Sequence, residues 1–430
     1  MPNAWVYFPG APYTHRAALD AAQHVVGASW EVVDGKQDPP SDADATPTHY
    51  DAYIADYDYL PFEALAGSSA RCSSYMIRKA LIRKHYLAHS IHTHSVKHPE
   101  SPLMVPRTWM IDIQFADELD ELLADDLYDV REALEQNEVA ETPKWFILKP
   151  GMADQANGIR LFSSVEQLEQ IFEEFEDDGS EEDEDDTSNA VMASQLRHFV
   201  IQEYIASPLL LSPADPSLAP RKFHLRAYVT CVGGLQVYLH DDMLALFASM
   251  PYTNPQTHSV DLRGHLSNTC FGKRHTEAMD GQEGNVFRWQ DLIDQPACMP
   301  GGSTFSLTRA HVDHVRQKAV DVIGSVFGAV ARESSIHWQL WPNAFEIFGV
   351  DLLVSLDTTQ NETDPASLQV WLLEINAQPD FAQSGPQLTS VVHHVFERAI
   401  QVGVLQQGPW PVGESRDQCT CCFQSDLIRT

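Results

Sequence analysis

The stretch Phe345-Glu346-Ile347-Phe348-Gly349-Val350-Asp351-Leu352-Leu353-Val354, followed after a polar connection by Val370-Trp371-Leu372-Leu373-Glu374-Ile375-Asn376, decides how this chain is read. The first run is apolar on both faces near its end, as in a strand buried within a sheet, and Asp351 is its anomaly. An isolated carboxylate there costs several kcal/mol unless it is paired or binds a cation. In the second run side chains alternate with period two, which puts Glu374 and Asn376 on one face. The connection from Ser355 to Gln369 is rich in Asp, Thr and Asn, which suits a hairpin that sets Asp351 opposite Glu374. Hard oxygen donors without Cys or His favour Mg²⁺, so Asp351, Glu374 and Asn376 are the expected metal ligands and a nucleotide the expected partner. The alternative is a pair of separately hydrogen-bonded core carboxylates. Like charges this close should also repel one another when no cation is present.

Composition sets the frame. The 430 residues exceed one typical core, and 43% hydrophobic residues can fill two or three sub-domains. No run of eighteen apolar residues occurs, and MPNAWVYFPGAPYTHR lacks the order of a secretory signal, so a cytoplasmic protein with no membrane contact is expected. Seven cysteines without paired CxxC motifs indicate neither a disulfide framework nor a zinc site. Glu173 to Asp186 supplies 11 acidic residues and reads as a disordered, solvated insertion. Even without it the net charge of −33 falls only to about −22, which argues against direct nucleic-acid binding over the general surface.

Outward from the acidic strands, the informative segments are the cationic ones. Arg71 to His98 holds Arg71, Arg78, Lys79, Arg83 and Lys84 with no acidic residue, and reads as a helix capped by Ser73 or Ser74 and suited to anions. His85, His89, His92, His94 and His98 lie within it; with no third ligand type in the local sequence they read as an exposed polar segment. Lys149 ends a strand before a loop flanked by Gly151 and Gly158, the form of a hairpin lid over phosphates with the lysine as point charge. Arg221 to Val232 alternates Lys222, His224 and Arg226 on one face, a surface for phosphate or carboxylate. Val312 to Ala331 reads as an amphipathic helix, and Gly413 to Thr430, with Cys419, Cys421 and Cys422, as a loose tail.

Taken in order, RKALIRK (78–84), LKP (148–150), QEYI (202–205), RKFHLR (221–226), HLSN (265–268), FGVD (348–351) and LLEIN (372–376) resemble the tubulin–tyrosine-ligase-like branch of the ATP-grasp enzymes, over roughly Trp5 to Ile400. The resemblance implies a mixed α/β ATP-grasp fold: a small N-terminal α/β domain (1–70), a central lid domain (71–198) with the acidic insertion at 173–190, a C-terminal domain (199–412) on a mostly antiparallel sheet that carries the metal site, and a tail (413–430). It implies that Lys79 and Lys149 reach the nucleotide phosphates, that Gln202, Glu203, Tyr204 and Ile205 clamp adenine through backbone groups, and that Lys222 and His224 line the nucleotide. Arg226, Lys222 and Asn268 are the implied catalytic residues, arranging phosphates and acceptor.

The implied chemistry is ATP- and Mg²⁺-dependent joining of an amino acid to a protein carboxylate, in tubulin or another protein, through an acylphosphate. Two positions depart from the family pattern: His224 stands where aspartate is usual, and Leu246 where arginine is common. PDFAQSG (379–385) is closest to the fungal members, some of which are associated with cytoplasmic mRNA-processing bodies, so a non-tubulin partner is an open expectation. An ATP-binding interaction module without ligase activity is the alternative.

Overall fold

The computed structural model describes residues 1–36, 49–113, 115–151, 158–177, 198–213, 217–256, 260–267, 285–384 and 388–425. Three sheets account for the architecture. The first is parallel, in the order β2-β1-β3-β4, from β1 (Asn3–Tyr7), β2 (Glu31–Asp34), β3 (Ala52–Ala55) and β4 (Arg71–Cys72). The crossover helix α1 (Pro12–Val26) begins on Pro12, whose missing N–H costs nothing at a first turn. All four residues of β3 are buried, although the alternation of tyrosine and aspartate around it predicts a half-exposed strand. Its position between β1 and β4 explains the difference, because inner strands of parallel sheets are covered on both faces.

After the one-turn helices α2 (Phe62–Leu65) and α3 (Lys79–Ile82) comes α4 (Lys84–Lys97). The single helix expected over this basic stretch is broken at Arg83, whose φ of −106° and ψ of 119° are extended. The second sheet is antiparallel, in the order β5-β8-β6-β7, from β5 (Thr108–Asp112), β6 (Phe146–Pro150), β7 (Arg160–Phe162) and β8 (His198–Glu203). Helices α5 (Leu119–Ala124), α6 (Tyr128–Gln136) and α7 (Val165–Asp177) cover it through Leu119, Leu123, Val130, Leu134, Leu168 and Phe172. Helix α7 takes in residues 173–177, the start of the acidic run expected to be disordered, because Phe172 and Phe175 anchor it beside Phe199. The rest of that run lies outside the described residues.

The third sheet is built on β10 (Arg221–Val232). Along one side β10 pairs antiparallel with β16 (Phe345–Leu356), which pairs with β17 (Leu368–Ala377). Along the other it pairs first with β12 (Leu244–Phe247) and then with β11 (Gln236–His240). Short strands β9 (Leu210–Leu211), β13 (Val286–Arg288), β14 (Pro296–Cys298) and β15 (Phe305–Ser306) extend it. Helix α8 (Arg309–Glu333), capped by Thr308, covers one face, and α9 (Thr389–Gly403) packs against α1 over the other.

Residues 413–425 are not a loose tail. They form β18 (Ser415–Arg416) and β19 (Cys419–Gln424), with β19 hydrogen-bonded to β11 and Cys419, Cys421 and Cys422 buried. Burial pushes all three thiols above their usual range, as befits core residues rather than reactive ones. The contact with α8 is what two helical glycines make room for. A Cβ at Gly324 would lie 2.3 Å from the carbonyl oxygen of Cys422, and one at Gly328 would lie 2.6 Å from the Phe423 ring. Gly324→Ala should therefore destabilise the protein by about 1–3 kcal/mol in urea unfolding, the range for overpacking, although alanine is the better helix former by roughly 1 kcal/mol. A stability gain would show that β19 does not dock on α8.

Candidate functional site: a cation-lined carboxylate cleft

The cleft lies between the second and third sheets, with Lys149, Gln202, Tyr204, Lys222, His224 and Glu374 among its walls. Strand pairing builds its floor. Arg226 stands opposite Asp351 in the β10–β16 ladder, and Asp351 opposite Glu374 in the β16–β17 ladder. The next pair is Leu352 with Leu372, so Leu373 is an extra residue, a β-bulge. The bulge turns both Leu373 and Glu374 toward the cleft while Leu372 and Ile375 stay in the core.

Arg226 donates to both oxygens of Asp351, from Nε at 2.6 Å and from a terminal nitrogen at 3.2 Å. The Asn376 amide donates to Asp351 at 3.3 Å and to Glu374 at 3.5 Å. The three residues expected to hold metal are thus in mutual contact, which the reading as separate core carboxylates does not produce. Lys84 Nζ lies 3.4 Å from Glu374. Burial alone would raise the Glu374 titration, but Lys84 and Lys149 outweigh it and hold the carboxyl well below its usual range.

The wall is a chain of hydrogen bonds. Lys149 donates to Gln202 at 2.7 Å, and Gln202 donates to Thr108 at 3.0 Å. Lys222 donates to the Tyr204 hydroxyl at 3.0 Å, which also meets His265 Nδ1 at 2.8 Å. Burial and the nearby Lys149 pull Lys222 down to about 7, and burial, with Lys84 beside it, pulls Lys149 down to about 8. His224 Nδ1 bonds the Ser267 hydroxyl at 2.7 Å, and burial keeps the ring neutral. Its Nε2 is buried without a hydrogen bond among the described residues, 3.7 Å from Asp351.

The structure thus brings together Lys149, Gln202, Glu203, Tyr204, Ile205, Lys222, His224, Arg226, Asp351, Glu374 and Asn376. The N–H groups of Glu203 and Tyr204 donate to the carbonyls of Arg107 and Trp145 and are thus already satisfied within the chain. Gly151 and Gly158 flank the expected phosphate loop, itself outside the described residues, and Gly158 has a positive φ of 70°. Asn268 also lies outside the described residues.

Lys79 is not part of the cluster: it is exposed, 5.2 Å from the Tyr86 ring centre. The break at Arg83 starts a new helix, and that helix delivers Lys84 instead. Sequence reasoning missed Thr108 and gave no individual role to Lys84 within the basic stretch or to His265 and Ser267 within HLSN, and no glycine or proline marks the break that selects Lys84. The expected self-repulsion of the carboxylates is also reversed, because Lys84, Lys149 and Arg226 surround them. Glu374→Gln should therefore lower the stability of the free protein, by about 1–3 kcal/mol at pH 7, as for a lost charged hydrogen bond. Glu374 titrates lower in the folded than in the unfolded chain, so this difference is present above pH 4.5 and shrinks as the pH falls below it. Thermal unfolding of the two proteins from pH 7 to pH 3 checks both statements; equal stability at pH 7 would remove the Lys84–Glu374 pair from the account.

Known proteins resemble this chain in sequence and in fold. Residues 69–409 match the family described as the tubulin-tyrosine ligase family. A probable tubulin–tyrosine ligase of Schizosaccharomyces pombe is 36% identical over 367 residues, 82% of each chain. The probable tubulin–tyrosine ligase PBY1 of Saccharomyces cerevisiae is 36% identical over 81% of this chain, which spans only 45% of that protein. Among solved structures, the C-terminal domain of Kluyveromyces lactis Pby1, described as an ATP-grasp enzyme interacting with the mRNA decapping enzyme Dcp2, superposes with a TM-score of 0.65 at 29% identity, covering 99% of this chain and 100% of that one. The chain has the ATP-grasp fold and belongs to the tubulin-tyrosine ligase family.

Proposed function

We propose that this chain is an ATP-dependent carboxylate–amine ligase that modifies a protein other than tubulin. The observation that supports it best is the charge balance of the cleft. Lys84, Lys149, Lys222 and Arg226 converge on Asp351 and Glu374, a net surplus of positive charge that suits a polyphosphate carrying one divalent cation. The oxygens of Asp351, Glu374 and Asn376 suit Mg²⁺, and Asp351 keeps lone pairs beyond those Arg226 takes. When bound, Mg²⁺ would supply charge neutralisation for the phosphates.

The residues of the chain do the rest by position and charge. Lys149 and Lys222, each held by a neutral partner, exchange that partner for phosphate oxygen and stabilise charge as the γ-phosphoryl group leaves ADP. An acceptor carboxylate oxygen attacks that phosphorus, giving ADP and an acylphosphate. The amine of the incoming amino acid then attacks the acyl carbon, phosphate departs, and one amine proton is released. His224, neutral and with Nε2 beside Asp351, takes no proton at neutral pH and serves to orient the floor.

A second, roomier cavity of about 440 Å³ opens between the C-terminal ends of β1 and β3 and the strand β16, and bears on the acceptor. Among the described residues it is lined by Asp56 and Asp380, and by Glu346, whose charge Arg78 offsets at 2.6 Å, and by no lysine or arginine. With a net charge of −33, the protein is badly matched to an acidic tubulin tail. Leu246, where an arginine is common in the family, stands opposite His224 across β10 and β12 and adds no cation. The Dcp2 interaction stated for the Kluyveromyces relative makes decapping proteins the first acceptors to test. Incubation with ATP and labelled tyrosine or glutamate should label a decapping-complex protein but not tubulin, and Asp351→Asn should abolish labelling. Robust tubulin labelling would overturn the acceptor assignment. Nucleotide binding without ADP release on any acceptor would favour a binding module, a reading that the paired His224 and Leu246 departures also support.

Nucleotide binding should be linked to protons. Lys222 at about 7 and Lys149 at about 8 are partly deprotonated at pH 8, and phosphate favours their charged forms, so binding takes up protons there. Affinity should weaken as the pH rises through 7 and 8, where first Lys222 and then Lys149 loses its proton in the free protein, and change little below 6. Calorimetry of Mg-ATP binding at pH 8 in buffers of different ionisation enthalpy measures the uptake; an enthalpy independent of buffer would show that neither lysine meets the phosphates.

A further inference from the structure

The histidine-rich segment that the nucleotide site leaves unused places two of its members beside a carboxylate from a distant helix. His94 and His98, one turn apart at the C-terminal end of α4, meet Glu333, the last residue of α8, with one ligand atom from each lying within 4.8 Å of the others. His98 Nε2 is 3.6 Å from Glu333 Oε1, close to the roughly 3.3–3.4 Å edge of a tetrahedral zinc site. His94 is 3% exposed. Its Nε2 meets the Ser101 carbonyl at 3.1 Å, while its Nδ1 is buried with no hydrogen-bond partner among the described residues. A metal-binding histidine has this form: one ring nitrogen donates to a backbone carbonyl, which fixes the tautomer and frees the other nitrogen for the ion.

Two further features suit a cation. The C-terminal ends of a 14-residue and a 25-residue helix converge here, and both carry partial negative charge. The Glu333 side chain is 5% exposed, and the Lys97 ammonium satisfies its Oε2 at 2.7 Å, leaving Oε1 toward His98. Glu100, 3.6 Å from His98 Nδ1, is placed to hold the outer nitrogen of that ring. His98, at the helix cap and 42% exposed, is the ligand free to move the remaining distance inward.

We propose that His94, His98 and Glu333 form a binding site for a divalent transition metal such as Zn²⁺, with two imidazoles, one carboxylate and a solvent molecule as ligands. Thirteen helical steps, about 20 Å, separate Lys97 from Lys84, so the ion would sit far from the carboxylate cleft. It would pin α4, which carries Lys84, to α8 of the third sheet. This assignment does not rest on the proposed ligase activity.

The test is titration of chelator-treated protein with Zn²⁺ alone against a chromophoric chelator, with Co²⁺ as a spectroscopic probe. Wild type and Asp351→Asn should each bind one equivalent. His98→Ala and Glu333→Gln should bind at least about tenfold more weakly, with circular dichroism showing that both remain folded. Bound Co²⁺ should give visible d–d bands without a thiolate charge-transfer band, and Zn²⁺ should raise the Tm of wild type but not of His98→Ala. Absence of binding by wild type, equal binding by the two ligand variants, or a thiolate band tracing the metal to cysteine would each overturn the proposal.

Discussion

The Arg226–Asp351 pair is the contact on which the rest of the arrangement depends. It lies between directly opposed residues of the two long central strands, with Asp351 buried and Arg226 half-buried, so it ties the register of β10 to that of β16. A slip of one residue would turn the guanidinium to the opposite face and leave the carboxylate alone in the core, at a cost of about 3–5 kcal/mol for a broken buried pair. Register then propagates: Asp351 fixes Glu374 on β17, and the bulge at Leu373 re-aims the carboxylate that Lys84 approaches. One ion pair thereby sets the alignment of three strands and the positions of Asp351, Glu374 and Asn376 in the cleft.

What the sequence made legible follows from what local patterns can encode. Period-two alternation placed Glu374 and Asn376 on one face and grouped Lys222 with His224, and the structure brings all four to the same cleft. The bulge was not legible, because nothing in Leu372-Leu373-Glu374 announces an extra residue. Residues 413–425 were misread because a polar stretch with scattered cysteines looks like a tail; only the empty space over Gly324 and Gly328 of α8, nearly a hundred residues upstream, shows where β19 belongs. Segments whose conformation depends on a distant partner escape any local reading.

The basic stretch shows the same limit at the level of single side chains. Arg78, Lys79 and Lys84 lie within seven residues and have three fates. Arg78 is buried, pairs with the buried Glu346 at 2.6 Å and covers the Tyr57 ring, so it bolts the first sheet to β16. Lys79 faces solvent, and Lys84 enters the cleft. Composition identifies such a stretch as suited to anions; the break at Arg83 decides which cation meets one.

The packing of α1 against α9 has a consequence for the order in which this protein can be assembled. Tyr13 on α1 meets Thr389 on α9 at 3.4 Å, across 376 residues of chain, and β19 inserts between β11 and β18 only once residues 419–424 exist. Residues 12–26 are synthesised before residues 389–403, so α1 can pack on β1 and β2 first and gains its α9 neighbour only later. Ala18, Ala21 and Val26 lie in the apolar cluster that Val391, Val395 and Ala399 of α9 complete. A fold whose contacts join segments so distant in sequence pays a large loop-closure cost and condenses slowly.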